Sequence, residues 1–142
     1  PVPGPTDLSR DSVMAQADLE HQLRDAAETG QLDQVQALLA ANAQIDVGDK
    51  AMGFTPLHRA ARGGHTEVTQ CLLRANAQVN ILDEVGWTPL HRAALNGRAE
   101  VIKCLLEGKA QPDIKNKTGA TALDYAAKGN HQAAVDVLQA AN

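Results

Sequence analysis

MGFTPLHRAARGGH (residues 52–65) is echoed by VGWTPLHRAALNGR (residues 85–98), 33 positions later. In each copy the seven residues TPLHRAA follow an aromatic side chain, and Phe54 and Trp87 are the only phenylalanine and the only tryptophan in the chain. Working outward, Thr55, Thr88 and Thr121 stand 33 residues apart, and between them recur GH or GR, the apolar pairs Leu72-Leu73 and Leu105-Leu106, and an A-Q-V/P-N/D tail. Self-similarity at such a period marks a stacked array of small units, none of which buries its apolar face alone.

The chemistry of the unit is legible in its letters. Thr55 is placed to cap a helix, and Pro56 fits the first turn, where the missing N–H goes unneeded. Gly63-Gly64 ends this short helix, and a second one is expected from about His65 to Arg74 with Val68, Cys71 and Leu72 on one stripe. Each unit therefore reads as a helical hairpin. The polar stretches VNILDEVGW and IDVGDKAMGF, each with a glycine before the aromatic residue, read as turns projecting from the helices. Ala60-Ala61, Ala93-Ala94 and Ala126-Ala127 give the first helices a small-residue face that permits stacking at about 8 to 10 Å. The expected fold is all-α, a solenoid of helix-turn-helix units with projecting β-turn or hairpin loops.

TPLHRAARGGHTEVTQCLLRANAQVN and TPLHRAALNGRAEVIKCLLEGKAQPD resemble ankyrin repeats. TGATALDYAAKGNHQAAVDVLQAAN resembles a fourth copy, and HQLRDAAETGQLDQVQALLAANAQID a degenerate first one at an offset of 34. The resemblance covers residues 18–142 and implies repeats at about 18–48, 49–82, 83–115 and 116–142, the outer two serving as polar caps. The helix-ending glycine of the family is Asn42 and Asn76 here, residues that tolerate the left-handed conformation, while Lys109 falls at that place with Gly108 one position early. Residues 1–11, with three prolines, are expected to be a disordered tail, and 12–142 the repeat domain. Ser12 is a candidate cap for a helix through Ala27 that turns Met14, Leu19, Leu23 and Ala26 inward and shields the open end of the stack.

Composition narrows the function. The net charge is −4, which does not favour direct nucleic-acid binding. No apolar run approaches the ~20 residues of a membrane span, and no signal-peptide pattern is present. His58, His91, His65 and His131 fall on repeat positions where the family has structural histidines. No H-x-x-x-H or C-x-x-C pair implies a metal, and no glycine-rich phosphate cradle implies a nucleotide cofactor. Cys71 and Cys104 occupy equivalent places on neighbouring second helices, too far apart for a disulfide, and read as reduced core thiols. Enzymatic activity is not expected.

Stacked units form columns of equivalent residues. One holds Asp25, Arg59, Arg92 and Tyr125; another Glu28, Arg62, Leu95 and Lys128; a third Phe54, Trp87 and Ala120, with Met52 and Val85 at the turn tips. In ankyrin-like proteins these positions line a concave groove. Trp, Phe, Tyr, Met and Arg are interface residue types, so Met52, Phe54, Arg59, Arg62, Val85, Trp87, Arg92, Leu95, Tyr125 and Lys128 are the candidate contact residues. The expected partner is a protein segment of acidic or acidic-apolar character, its carboxylates meeting Arg59, Arg62 and Arg92. Arg92, whose column neighbour is Tyr125, is the strongest contact candidate. A second reading pairs Asp25 with Arg59 and Glu28 with Arg62 between repeats, and folds the aromatic rings over the next turn.

The resulting expectation is a noncatalytic, monomeric protein-interaction module of the cytoplasm or nucleus. The alternatives are an inhibitor that occludes a partner enzyme and, since the chain starts at Pro1, an excised part of a larger scaffold. An engineered binder is argued against by Lys109 and the irregular repeats. The resemblance also marks Asn80 as a candidate for hydroxylation, beside a simpler role as a turn asparagine bonded to its own backbone.

Overall fold

The computed structural model describes residues 10–141, with side chains from Ala15 onward. Eight helices and no strand occur among these residues: α1 (Arg10–Thr29), α2 (Leu32–Ala40), α3 (Pro56–Gly63), α4 (Thr66–Arg74), α5 (Pro89–Leu95), α6 (Ala99–Glu107), α7 (Ala122–Lys128) and α8 (Gln132–Ala140). They form four antiparallel pairs, units 1 to 4. The first helices α1, α3, α5 and α7 stack in one layer, and α2, α4, α6 and α8 stack in the layer behind. None is long and apolar enough to cross a membrane.

Each first helix of units 2 to 4 starts where its threonine stands. Thr55 Oγ1 accepts the His58 N–H at 3.3 Å, and His58 Nδ1 accepts the Thr55 N–H at 3.3 Å, closing a capping box. Thr88 with His91 and Thr121 with Asp124 repeat it. At the far end of the second helices, Asn42, Asn76 and Lys109 adopt positive φ of 68°, 70° and 75°, as their place in the repeat requires. The alanine pairs lie where small residues are needed: Ala60, Ala61, Ala93, Ala94 and Ala126 are fully buried between stacked helices. Ala127 is exposed, because it faces outward from the last unit. Leu57, Leu72, Leu90, Leu105 and Leu138 fill the space between layers. On α4 the buried stripe is Val68, Thr69 and Leu72, whereas Cys71 is only half-buried. Thr69 satisfies its hydroxyl by donating to the His65 carbonyl at 2.8 Å, so a polar residue occupies the core at no net loss of hydrogen bonding.

The N-terminal end differs from expectation. The tail lies outside the described residues up to position 9, but residues 10 and 11 are already helical, and Ser12 stands inside α1 rather than capping it. No helix breaker intervenes between Pro5 and Gly30, so the helix expected from a Ser12 cap through Ala27 starts earlier and ends later, as the 20-residue α1 (Arg10–Thr29). Leu23 and Ala26 are buried and Leu19 packs against the core. The inward placement expected for Met14 lies outside the described side chains.

Histidine and arginine side chains staple the units together. The Nε2–H of His58 meets the Trp87 carbonyl at 2.8 Å, and that of His91 the Ala120 carbonyl at 3.0 Å. With Nδ1 accepting from the threonine N–H, both rings are fixed as the neutral Nε2–H tautomer. Burial pushes both below the ordinary imidazole value, against the raising effect of the carbonyl each ring bonds. A second staple joins the other ends of the first helices. His65 Nε2 meets the Glu28 carbonyl at 2.8 Å, Arg98 Nε donates to the Arg62 carbonyl at 3.2 Å, and His131 Nε2 meets the Leu95 carbonyl at 3.0 Å. The His131 ring lies so close to Gly97 and Gly129 that a Cβ on either would stand 2.5 or 2.6 Å from a ring nitrogen. The four repeat histidines thus have the structural roles that their positions imply.

Candidate binding groove

The first helices and the turns that precede them carry the candidate contact residues, and the geometry of this face starts from the turns. In unit 3 the Asp83 Oδ1 accepts the N–H groups of Val85 and Trp87 at 3.1 and 3.0 Å, drawing the turn around one carboxylate oxygen. Its Oδ2 accepts Arg92 Nε at 3.1 Å and Nη2 at 2.6 Å. Unit 2 repeats this with Asp49, whose Oδ1 takes the Met52 and Gly53 N–H groups and whose Oδ2 takes Arg59 Nη2 at 2.8 Å. Burial alone would raise the Asp49 carboxyl, but the N–H bonds and the Arg59 guanidinium outweigh it and lower the pKa to about 2. Unit 4 carries a neutral version: Asn116 Oδ1 collects the Thr118 and Ala120 N–H groups, and its Nδ2 donates to the Tyr125 hydroxyl at 2.6 Å. Arg59, Arg92 and Tyr125 therefore each lock the turn of their own unit.

These locks place the aromatic rings. The Arg92 guanidinium carbon lies 4.2 Å from the Trp87 ring centroid and 4.7 Å from that of Phe54, between the two rings. Arg62 covers Phe54 at 5.2 Å, and Trp87 stacks on Tyr125 at 4.4 Å. The result is a continuous ladder, Arg62, Phe54, Arg92, Trp87, Tyr125, running along the groove from unit 2 to unit 4. Cation–π contacts of this kind contribute about 0.5 to 2 kcal/mol each, depending on desolvation.

Two sequence expectations change here. Arg92 is not a free cation awaiting a partner: it pairs with Asp83, whose side chain is 0% exposed, while its own is 12% exposed. The column neighbour Tyr125 pointed the wrong way because the acid comes from the turn nine residues earlier. Phe54 and Trp87 each pack on the next unit, as the structural reading of the aromatic pair had it, and keep a partly exposed edge. Arg59 is likewise committed, to Asp49, to Glu28 at 3.1 Å and to Asp25 at 3.4 Å, and Arg62 pairs with Glu28.

The accessible apolar surface is separate from the packed rings of the ladder. Among the described residues the exposed large hydrophobic side chains are Leu82 (54%), Val85 (37%) and Leu95 (41%), the last two in unit 3 and Leu82 at the junction just before it. Leu82 was missed in the sequence, although Gly48 and Lys115 at the same turn position mark it as the odd member. Met52 is half-buried, its carbonyl accepting the Glu84 N–H at 2.9 Å across neighbouring turn tips. Lys128 is exposed at the end of α7. The back carries the acids: Asp33, Glu67, Glu100, Glu107 and Asp136 are all exposed on second helices. Asn80 is held differently from a self-bonded turn asparagine, since its Oδ1 accepts the Gln111 N–H of the next unit at 3.0 Å, as Asp46 accepts that of Gln78 at 3.1 Å. Cys71 and Cys104 are free thiols, and burial raises both above the ordinary thiol value.

A family model described as ankyrin repeats (3 copies) matches residues 23–116 and again 75–142. The chain belongs to the ankyrin repeat family. Ankyrin repeats are generally protein–protein interaction modules and typically noncatalytic. The match extends through all four helical pairs, so the ladder and the unit 3 surface are elaborations on an ankyrin frame. A comparison with curated proteins finds no match to this ankyrin-repeat chain.

Proposed function

We propose that this chain is a noncatalytic binding module that holds a segment of another protein in its concave groove, centred on unit 3. The observation that carries the reading is that unit 3 supplies two exposed large apolar side chains, Val85 at the turn tip and Leu95 at the end of α5, together with the half-buried Trp87, which stacks on Tyr125. Apolar side chains together with rigid aromatic ones supply desolvated contact area at low ordering cost. The proposed partner segment is acidic-apolar in character, and its apolar part makes the central contact. The arginines act mainly within the scaffold, where they hold the rings in place.

The test is a comparison of Leu95→Asp, which alters an exposed side chain, with Lys103→Glu on the back of α6. Both variants should keep the helical circular dichroism and melting temperature of the parent. Cross-linked complexes recovered from cells with the parent and with Lys103→Glu should be lost with Leu95→Asp. Loss with Lys103→Glu and retention with Leu95→Asp would place binding on the back and refute the reading.

A further inference from the structure

Asn96 stands at the end of α5 and is the only asparagine of the chain that is followed by a glycine. At the same place in the repeat, units 2 and 4 have Gly63 and Gly129 and unit 1 has Thr29, so the turn itself does not call for an asparagine. The Asn96 side chain is exposed, and its Nδ2 donates to the carbonyls of Arg92 at 3.3 Å and Arg62 at 3.4 Å. The first bond satisfies a carbonyl of the last helical turn, and the second ties unit 3 to unit 2. Gly97 follows at φ 67°, and its N–H donates to the Ala94 carbonyl at 3.1 Å. A side chain is excluded at position 97, because a Cβ there would stand 2.5 Å from His131 Nδ1. The fold thus sets an unshielded backbone amide directly after an exposed carboxamide.

We infer that Asn96 is a site of deamidation, and that the end of α5 must open for the reaction to proceed. The Gly97 nitrogen, losing its proton, attacks Asn96 Cγ; a new C–N bond forms, the carboxamide C–N bond breaks and ammonia leaves. Water then opens the resulting succinimide ring at either carbonyl, giving aspartate or isoaspartate at position 96. Glycine at the following position leaves no side chain to hinder the attack. Ring closure requires the Gly97 nitrogen to eclipse Asn96 Cβ, whereas a ψ of 7° at Asn96 makes it eclipse the Asn96 nitrogen instead. Rotation about that bond breaks the Gly97 N–H bond to Ala94 and draws the carboxamide off its two carbonyls. Both carboxamide bonds are long, which sets this opening at the low-cost end of local motions. The products do not fit back. An aspartate cannot donate to the Arg92 and Arg62 carbonyls and brings negative charge to a helix C-terminus, with Arg98, whose Nε bonds the same Arg62 carbonyl, as the cation beside it. Isoaspartate carries the chain through Cβ, adding one backbone atom to a turn in which the His131 ring already closes on Gly97.

The test follows the tryptic peptide AALNGR, residues 93–98, by mass spectrometry while the intact chain is incubated at neutral pH. Aspartate and isoaspartate, recognised by the mass gained and separated by retention time, should accumulate at Asn96 ahead of Asn42 and Asn76, which are also exposed but precede alanine. A free synthetic peptide of residues 90–102 should convert faster than the folded chain by about 10-fold or more, the factor by which the closed turn is favoured. Urea below the unfolding transition should raise the rate of the chain toward that of the peptide. His131→Ala, which releases the Leu95 carbonyl but leaves the sequence around Asn96 unchanged, should do the same. An Asn96→Asp variant should unfold at lower urea than the parent. Conversion at Asn42 or Asn76 that keeps pace with Asn96 would overturn the site. A chain that converts as fast as the peptide, and ignores both urea and His131→Ala, would overturn the gating by α5. An Asn96→Asp variant as stable as the parent would overturn the misfit of the product.

Discussion

Replacing Arg92 by alanine leaves the Asp83 carboxylate with its two turn N–H groups but without its guanidinium, in a place where the side chain is 0% exposed. Removing one member of a buried ion pair costs about 3 to 5 kcal/mol, because the remaining charge is stranded. The substitution also empties the slot between Phe54 and Trp87, adding about 1 to 2 kcal/mol of lost cation–π contact. A net loss of about 4 to 7 kcal/mol is a large share of the stability of a domain this size and corresponds to a melting temperature lower by roughly 10 to 30 °C. The chain itself contains the remedy, because unit 4 closes the same turn with Asn116 and Tyr125. Asp83→Asn and Arg92→Tyr should each destabilise singly, and the double variant should recover most of the loss, with a coupling of about 2 to 3 kcal/mol. Urea denaturation followed by circular dichroism gives all four corners of the cycle. Additive losses, or an Arg92→Ala variant within about 1 kcal/mol of the parent, would refute the turn lock as an energetic unit.

Three further outcomes follow from the scaffold. Lys109→Gly relieves a lysine held at φ 75° and should stabilise by about 1 kcal/mol in the same assay, whereas an unchanged midpoint would mean that the backbone strain is absent. Gly97→Ala should cost well over 2 kcal/mol, since its Cβ meets His131 Nδ1 at 2.5 Å; Gly119→Ala, with a similar positive φ but open space around it, should cost only about 1. Equal losses would remove the close approach as the reason for glycine at position 97. His58 and His91 are held neutral, with folded pKa values below the ordinary 6.5. The unfolded chain therefore binds protons first, and stability that is present above pH 6.5 is lost as pH falls below it, at up to about 1.4 kcal/mol per pH unit for each ring. Urea midpoints should fall between pH 7 and 5, a window well above the Asp49 pKa of about 2, and a flat profile would contradict the tautomer assignment.

The Thr starts and the left-handed Asn42 and Asn76 were legible because each is a local backbone requirement that few residue types meet, and Lys109 was legible only because the period of 33 puts it at the same place. The groove columns were legible as well, since stacking puts equivalent positions in line. What they concealed was a contact between unlike positions. Asp49 with Arg59, Asp83 with Arg92 and Asn116 with Tyr125 join a turn to the helix after it, nine or ten residues away, and comparing like with like cannot reveal such a pair. The signal was present in the joint change from Asp and Arg to Asn and Tyr in unit 4. The start of α1 was misplaced for a different reason: a cap residue such as Ser12 is informative only where the chain upstream cannot be helical, and residues 10 and 11 can be.

The claim that unit 3 of the groove is where the partner sits is tested most directly by site-specific photo-cross-linking in cells. A photoreactive benzophenone side chain replaces Leu95 in one variant and Lys103 in another, both exposed positions on neighbouring helices of the same unit. The account predicts one discrete cross-linked partner from position 95 and none from position 103. The same band from position 103, with none from position 95, would contradict it.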